Sequence, residues 1–186
     1  MLSRSPDPSS TASAPAALPV PTFREVYDQH AAFVWRVLRR LGVRPTDLED
    51  VCQEVFLVVH RKLPEFAHRA ALTTWLYGIA LRCASDYRRR AYVVREIASE
   101  VRDESVPAEQ PASIAHRQAR ELLDQILDAL DEDKRVVFVL YELEEVGMAE
   151  IAELVGCPVQ TAYSRLHAAR AAVAAATARL QAKERS

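Results

Sequence analysis

The sequence has few glycines and cysteines and no long apolar run, and each shortage excludes a class of protein. Only 4 of the 186 residues are glycine, so the chain has no glycine-rich phosphate-binding loop. The 3 cysteines are widely spaced without a CxxC pair, which predicts free thiols in a reducing, cytoplasmic compartment and no metal site. No run approaches about 18 apolar residues and the N-terminus lacks a signal-peptide pattern, so we expect no membrane insertion.

Catalytic motifs are also missing. No Ser, Thr or Cys lies in a recognisable nucleophile motif. The 5 histidines stand singly along the chain, at His30, His60, His68, His116 and His167. We therefore expect a protein that is not an enzyme, with no catalytic residues and no cofactor.

The net charge of -2 conceals a strong asymmetry along the chain. Residues 23–95 carry 13 Lys and Arg against 8 Asp and Glu, a net charge of +5, and residues 157–186 carry 5 against 1, or +4. Between them, residues 96–117 have a net charge of -3, and residues 118–156 have 3 basic against 11 acidic side chains, or -8. Two basic segments separated by acidic ones indicate two nucleic-acid contacts, with other surfaces left for a protein partner.

Apolar residues recur at three- and four-residue steps through most of the chain, and no segment has the alternation of a strand. This periodicity predicts an all-α fold. Residues 1–22, rich in Pro, Ser, Ala and Thr, are predicted to be a disordered tail. A proline-containing stretch without apolar periodicity marks a flexible linker, which we set at 96–117. The chain therefore divides into two small helical domains, at 23–95 and 118–186.

One predicted helix, 75–90, has an apolar face and a basic face. At about 100° per residue, its apolar side chains gather within roughly one third of the circumference. The other side carries Tyr77, Arg82, Ser85, Arg88 and Arg89. Aromatic rings stack on bases and guanidinium groups pair with phosphates, so this face suits opened or single-stranded nucleic acid. An ordinary arginine-rich surface helix is the alternative.

The loop before this helix contains His68 and Arg69. These two side chains either line the rim of a shallow pocket for a base taken out of the stack, or contact only phosphates.

Another predicted helix, which runs to about Leu63, begins with an acidic segment. Thr46 and Glu49 form a capping-box pattern, in which each side chain satisfies the other's free backbone donor. No histidine accompanies the carboxylates that follow, so a metal site is not expected. The polar side is either simply solvated or a docking surface for a basic partner, and it carries Asp47, Asp50, Gln53 and Glu54.

The segment 148–170 has helix-turn-helix form: a short apolar helix, Gly156 at the turn, and a second helix with basic residues. In the second helix, an inward face is predicted for Ala162, Leu166, Ala169 and Val173. The outward side suits base edges and its flanks suit phosphates, and these positions hold Tyr163, Ser164, His167, Arg165 and Arg170. A simple helical hairpin is the alternative.

Taken together, these stretches resemble the extracytoplasmic-function (ECF) group of sigma-70-type sigma factors of bacterial RNA polymerase. The strings DLEDVCQEVF at 47–56, LPEF at 63–66 and TWLYGIA at 74–80 are similar to the group's second conserved region. The segment 130–170 is similar to its fourth, with RVVF at 135–138, EIA at 150–152, and Thr161 before SRLH at 164–167.

The resemblance implies a sigma factor that binds core polymerase and directs promoter-specific transcription initiation. Residues 23–95 correspond to sigma region 2 and residues 118–186 to sigma region 4. In the family, region 2 melts and holds the minus-ten element and docks on the coiled coil of the polymerase clamp. Region 4 reads the minus-thirty-five element in duplex DNA. The acidic, apolar surface of 118–156 matches the part that holds the polymerase flap tip, and an anti-sigma factor is a further expected partner.

The resemblance also assigns roles to individual residues. Polymerase binding is expected at Asp47, Asp50, Gln53 and Glu54. Minus-ten contacts are expected at His68, Arg69, Trp75, Tyr77, Arg82, Ser85, Arg88 and Arg89. Minus-thirty-five contacts are expected at Gln160, Thr161, Tyr163, Ser164, Arg165, His167 and Arg170.

Five positions depart from the family's usual pattern, and these departures bear on which promoters the protein prefers. Arg82 stands where Asn is common, His68 where Gly is frequent, and Ala162 where a larger apolar residue is usual. Basic residues are usual at the positions of Tyr163 and Ala168. Two other classes of protein remain alternatives: a stand-alone helix-turn-helix regulator, which would need only residues 118–186, and an inhibitory or adaptor protein with a sigma-like fold.

Overall fold

A computed structural model of the protein describes residues 20–67, 70–97 and 114–184. Within those ranges every regular element is a helix, which confirms the predicted all-α fold of two helical domains. The predicted disordered tail (apart from its last three residues) and most of the predicted linker lie outside the described residues.

The first domain contains three helices, α1 (Phe23–Arg40), α2 (Leu48–Lys62) and α3 (Leu72–Ile97). Short 3-10 turns, Pro45–Asp47 and Leu63–Glu65, stand before and after α2. The three helices pack on one another. Side chains without exposed surface come from each helix, among them Val37, Leu38, Val55, Val59, Leu76 and Ala80, all 0% exposed. The periodic apolar residues of the sequence thus form the core, and full burial of one large apolar side chain stabilises the fold by about 1.5–3 kcal/mol.

A capping box does occur in this domain, but it starts α1 instead of α2. The hydroxyl of Thr22 accepts a hydrogen bond from the backbone N–H of Glu25 at 3.3 Å, and the Glu25 carboxylate accepts one from the backbone N–H of Thr22 at 2.7 Å. The backbone N–H and the hydroxyl of Thr22 both donate to the Glu25 carboxylate, which favours its charged form and therefore lowers the pKa of Glu25.

The predicted capping box at Thr46 and Glu49 is wrong. Helix α2 begins one turn after Pro45, with Asp47 at its N-cap and no side-chain hydrogen bond to the helix's free N–H groups. The Thr46 hydroxyl instead donates to the Asp47 carboxylate at 3.1 Å. That carboxylate also accepts hydrogen bonds from Tyr87 and Arg44, so the residues before α2 are fixed by tertiary contacts.

The second domain contains α4 (Ile114–Asp128), α5 (Glu132–Phe138), α6 (Met148–Val155) and α7 (Val159–Glu184). Asp131 caps α5 by accepting a hydrogen bond from the backbone N–H of Lys134 at 3.0 Å, and α5 continues as a π-helical turn, Val139–Leu143. Helices α4, α5 and α6 all pack on α7. The inward face predicted for α7 is confirmed, since Ala162 and Ala169 are 0% exposed, Leu166 is 2% exposed and Val173 packs against the core.

The turn between α6 and α7 depends on Gly156. Its φ of 68° and ψ of 38° are left-handed, a conformation that costs a residue with a Cβ about 1–2 kcal/mol. The N–H of the next residue, Cys157, donates to the carbonyl of Ala152 at 3.0 Å and closes the end of α6. This turn sets the angle at which α7 leaves α6.

Replacement of Gly156 by Ala should therefore lower the free energy of unfolding by about 1–2 kcal/mol, because the added Cβ has open space but an unfavourable φ. Gly147→Ala is the matched control, since Gly147 also has open space and has a φ of -63°. At Gly147, alanine leaves the unfolded chain less conformational freedom than glycine does, which stabilises the fold, but it is a poorer N-cap residue than glycine. Because these two effects offset each other, we expect the free energy of unfolding to change by no more than about 0.5 kcal/mol. Urea unfolding followed by circular dichroism measures both, and equal losses would contradict the role of the left-handed turn.

Candidate functional site

The polar side of α2 forms the first candidate surface. Asp50 and Gln53 are exposed, and Glu54 is partly exposed. Both oxygens of the Glu54 carboxylate accept hydrogen bonds from Nη2 of Arg90 on α3, at 3.0 and 2.9 Å. This ion pair is largely solvated, with 59% of the Arg90 side chain exposed, so it contributes about 1 kcal/mol or less and exchanges easily for another partner.

An apolar residue that sequence reasoning missed lies on the same side of α2. Leu57 is 63% exposed and follows Gln53 and Glu54 by four and three positions, so it shares their face. The signal in the sequence is a leucine out of phase with the buried Val51, Val55 and Val59. The surface therefore combines acidic groups with one exposed apolar side chain, which suits a partner that is basic and partly apolar.

Asp47 does not belong to that surface. Its carboxylate accepts hydrogen bonds from the Tyr87 hydroxyl at 2.5 Å and from Arg44 Nη2 at 2.8 Å. Burial alone would raise the pKa of Asp47, but the bonds from Tyr87 and Arg44 outweigh it, so the pKa lies below its usual value. The side chain thus holds the start of α2 against α3.

The second candidate surface is the basic side of α3. Arg82 and Arg89 are exposed, as predicted, and Ser85 is partly exposed. Arg88 is more enclosed, with 19% of its side chain exposed, and it donates hydrogen bonds to the carbonyl of Leu41 and the carboxylate of Glu132.

The aromatic residues near this surface are placed differently from the expectation. Trp75 is partly buried, with its ring 5.2 Å from that of Phe66. Tyr77, expected on the exposed basic side, is only 4% exposed. Its ring lies 4.8 Å from the ring of Phe33, and its hydroxyl donates to Oε2 of Glu144 at 2.5 Å. Burial and the Glu144 carboxylate both raise the pKa of Tyr77. The two loop residues expected beside them, His68 and Arg69, lie outside the described residues.

The third candidate surface is the first half of α7. Gln160, Ser164 and His167 are exposed, Tyr163 is 48% exposed, and Thr161 is partly exposed. The Ser164 hydroxyl donates to the carbonyl of Gln160 at 2.9 Å. The outward orientation predicted for Tyr163, Ser164 and His167 is thus confirmed, and the helix presents polar and aromatic groups of the kind that contact base edges.

The two arginines that flank this face are paired with acidic residues of their own domain. Arg165 contacts the carboxylate of Asp133 at 2.6 Å, and Arg170 contacts that of Glu142 at 2.6 Å. The Arg170 guanidinium also lies 5.8 Å from the centre of the Tyr141 ring. These pairs hold the guanidinium groups beside the face they flank while leaving them partly open to solvent.

Acidic side chains of the second domain also contact the first domain. The Glu144 carboxylate lies 2.5 Å from Arg40 and 3.8 Å from Arg36. Asp124 pairs with Arg39 at 2.7 Å, and burial raises the pKa of Asp124 in spite of this arginine. Glu132 pairs with Arg88 at 2.6 Å. We call the carboxylates of Asp124, Glu132 and Glu144 the acidic bridge.

The described ranges contain neither a membrane-spanning helix nor a metal-binding cluster. No helix there is long and apolar enough to span a bilayer. No group of three or more His, Cys, Asp and Glu side chains in the same ranges is arranged to hold a metal ion.

Comparison with known proteins identifies the family. Residues 26–92 match the model of sigma-70 region 2, and residues 120–173 match that of sigma-70 region 4. The chain is 32% identical over 140 residues to the ECF RNA polymerase sigma-E factor of Escherichia coli K12, an alignment that covers 68% of this chain and 72% of the relative. The chain belongs to the ECF sigma factors. The corresponding sigma-E factor of Haemophilus influenzae is 30% identical over 141 residues, with 69% of this chain and 73% of that protein covered.

Two solved structures have a similar fold. The sigma factor RpoE of Bartonella quintana, in complex with the anti-sigma factor NepR, has a TM-score of 0.70 at 21% identity. That alignment covers 83% of this chain and 96% of RpoE. CnrH, in complex with the cytosolic domain of CnrY, has a TM-score of 0.60 at 24% identity, covering 82% of this chain and 85% of CnrH.

As an ECF sigma factor, the protein directs promoter-specific transcription by RNA polymerase, and its family is not a class of enzymes. A stand-alone helix-turn-helix regulator would not account for the region 2 match over α1, α2 and α3. All three candidate surfaces lie within the two matched ranges.

Proposed function

We propose that the two domains divide promoter recognition between them. In this proposal residues 23–95 dock on the polymerase clamp and melt and hold the minus-ten element, and residues 118–186 read the minus-thirty-five element. Residues 96–117 serve as the linker. The separation of the two basic surfaces by acidic segments supports this division, because each surface can then contact a different part of the promoter.

Docking is assigned to the polar side of α2. Asp50, Gln53 and Glu54 face a basic surface of the clamp coiled coil, with Leu57 as the apolar contact at the centre. Asp47 supports this surface from behind through Tyr87 and Arg44, so its role is to position α2. The acidic, apolar surface of 118–156 is assigned to the flap tip of the polymerase.

Nucleic-acid contacts are assigned to the other two surfaces. The basic side of α3 holds the melted minus-ten strand, chiefly through Arg82, Ser85, Arg88 and Arg89, with His68, Arg69 and Trp75 as further contacts. The exposed face of α7 reads the minus-thirty-five duplex with Tyr163, Ser164 and His167, beside Gln160 and Thr161. Arg165 and Arg170 contact the phosphates on either side.

An anti-sigma factor is a further proposed partner. Two proteins of similar fold were solved in complexes, the sigma factor RpoE with the anti-sigma factor NepR and CnrH with the cytosolic domain of CnrY. The proposed place of action is the cytoplasm, where a bacterial polymerase works.

The exposed recognition face of α7, carried on a helix-turn-helix, is the observation that best supports promoter reading. Run-off transcription with core polymerase on a promoter library tests the proposal as a whole. We expect transcripts only from a subset of promoters with shared minus-ten and minus-thirty-five sequences. Binding to core polymerase without any promoter-dependent transcript would favour an inhibitory or adaptor protein instead.

Salt dependence tests the arginines of the recognition helix. On a minus-thirty-five duplex selected from that library, Arg165→Ala with Arg170→Ala should lower the salt dependence of log Kd by roughly one unit of slope for each arginine, because each phosphate contact releases counterions. Fluorescence anisotropy at several salt concentrations gives the slope.

Arg24→Ala is the matched control, since 87% of the Arg24 side chain is exposed and the residue belongs to neither nucleic-acid surface. It should leave the slope unchanged. A double variant with the same slope as this control would show that Arg165 and Arg170 do not contact phosphates.

A further inference from the structure

One of the two arginines that flank the recognition face of α7 is held by two neighbouring side chains although it is largely exposed. The Arg170 side chain is 55% exposed, and a long exposed side chain ordinarily samples many rotamers. In this structure, however, Nε and Nη2 of Arg170 both contact Oε1 of Glu142, at 2.7 and 2.6 Å. The same guanidinium lies 5.8 Å from the centre of the Tyr141 ring. An exposed cation is therefore fixed in one position.

The contact with Glu142 leaves one edge of the guanidinium open. A guanidinium is planar and has two edges that can donate paired hydrogen bonds, one formed by Nε and an Nη group and the other by the two Nη groups. Glu142 contacts the first of these edges. The planar geometry directs the second edge away from the carboxylate, and that edge matches two oxygens of a phosphate.

The Tyr141 ring restrains the plane of the guanidinium. A cation within about 6 Å of a ring centre is attracted to the face of the ring, and Arg170 lies inside that range. Tyr141 is itself partly buried and packs against the core, so the ring does not move with the arginine. Glu142 thus holds an edge of the guanidinium, and Tyr141 limits its rotation.

Both of these side chains come from the π-helical turn Val139–Leu143. The N–H of Glu144 donates to the carbonyl of Val139, five positions earlier, at 3.1 Å. Consecutive side chains of an α-helix diverge by about 100° and do not share a face, whereas Tyr141 and Glu142 both reach one guanidinium. Such π turns are rare and are frequent at functional sites. Neither residue belongs to the acidic bridge, so these contacts lie within the second domain.

We propose that Tyr141 and Glu142 are positioning residues, which orient Arg170 toward one particular phosphate of the minus-thirty-five duplex. This inference rests on the proposed role of α7 in reading that duplex. Phosphate contacts fix the register of a protein on DNA, so the Arg170 cluster (Tyr141, Glu142 and Arg170) determines which base pairs Tyr163 and His167 meet. An arginine that is ordered in advance also loses less entropy on binding.

Neutral linkages identify the phosphate that Arg170 contacts. The full chain, bound to core polymerase, is titrated with fluorescent promoter duplexes in which one minus-thirty-five phosphate at a time is an uncharged methylphosphonate. The quantity compared is the ratio of the Kd on the modified duplex to the Kd on the unmodified one. For the wild type we expect one position with a ratio of about ten that Arg170→Ala reduces to about one, because the group that used this charge is gone.

Replacement of Tyr141 tests the ring without a change of charge. Tyr141→Leu removes the ring, and Tyr141→Phe is the matched control that keeps it. For Tyr141→Leu we expect the ratio at the Arg170 phosphate to fall to about three and the Kd on the unmodified duplex to rise about fivefold, since the arginine must now be ordered on binding. Smaller ratios should appear at adjacent phosphates, which a released guanidinium can also reach. Tyr141→Phe should keep the wild-type pattern.

Glu142→Ala is a second variant that does not depend on the packing of the core. Its carboxylate is 31% exposed, and its loss should spread the ratios over adjacent phosphates as the loss of the ring does. Glu121→Ala is the matched control, since it removes an exposed carboxylate of α4 with the same change of net charge. Removal of an acidic group strengthens DNA binding in general, but this effect cancels in the ratio.

The outcomes separate the positioning role from the role of Arg170 itself. If Arg170→Ala changes none of the ratios, Arg170 contacts no phosphate, and its assignment fails together with the Arg170 cluster. If Arg170→Ala abolishes one ratio but Tyr141→Leu and Glu142→Ala keep the wild-type pattern, the positioning role is overturned and the assignment of Arg170 stands. A purely structural role would give this second result, with a lower free energy of unfolding in urea.

A double variant tests whether the ring acts through the arginine. Tyr141→Leu in the Arg170→Ala background should raise the Kd on the unmodified duplex no further, because residues that act through one another are not additive. A further loss of about fivefold, equal to that of Tyr141→Leu alone, would mean that the ring acts independently of Arg170, and it would overturn the proposal.

Discussion

Reversal of the charges at Asp50 and Glu54 to Lys is expected to abolish co-purification of the sigma factor with core RNA polymerase. One exposed ion pair contributes little. Two reversals, however, place positive charge against a basic partner, and such like-charge contacts cost several kcal/mol. We expect the affinity to fall about a hundredfold or more, which corresponds to about 3 kcal/mol.

The control for this experiment carries the same change of net charge elsewhere. Asp28→Lys with Glu121→Lys alters two exposed side chains outside the polar side of α2, and it should co-purify with polymerase as the wild type does. Circular dichroism checks the fold, for which the loss of the solvated Glu54–Arg90 pair should cost about 1 kcal/mol or less. A folded Asp50→Lys, Glu54→Lys protein that still co-purifies would exclude this surface as the docking site.

Replacement of Arg82 and Arg89 by Ala should impair transcription from a duplex promoter far more than from a promoter already opened by mismatches. Both side chains are exposed, so their loss should leave the fold intact. Hydrogen bonds to charged groups contribute about 1.5 kcal/mol or more, which corresponds to roughly tenfold for each arginine. On the duplex, that energy offsets the cost of unpairing the bases, whereas the mismatched template has no such cost.

Run-off transcription on the two templates, with Arg24→Ala as the control, gives the comparison. The control should match the wild type on both. Equal losses on the duplex and the mismatched promoter would mean that Arg82 and Arg89 act in a step other than strand opening.

The parts of the fold that could be predicted from the sequence are those governed by local periodicity. Helix α7 is an example, because the side chains predicted to face inward, Ala162, Leu166 and Ala169, are spaced at helical intervals and are all buried. The exposed positions of Tyr163 and His167 follow from the same geometry. Periodicity is informative here because one side of the helix packs on the domain core and the other side meets solvent.

Two errors have their cause in contacts distant in sequence. Tyr77 is buried because Glu144, 67 positions later, accepts its hydrogen bond, and no local pattern contains that partner. The Thr46 capping box fails because Tyr87, 40 positions after Asp47, binds the Asp47 carboxylate and fixes the start of α2. The sequence had assigned Tyr77 to a nucleic-acid contact and Asp47 to a polymerase contact. In this structure both side chains instead bind other residues of the protein itself.

The position of Glu144 has a consequence for protein engineering. Its carboxylate belongs to the second domain, but Arg36, Arg40 and Tyr77, which it contacts, belong to the first. The domains are therefore not interchangeable modules. A hybrid that joins residues 23–95 to the second domain of another sigma factor would acquire a new minus-thirty-five preference. If that donor lacked a carboxylate at this position, Arg40 and the Tyr77 hydroxyl would lose a partner whose side chain is only 6% exposed, so the choice of donor would affect the stability of the hybrid as well as its promoter choice.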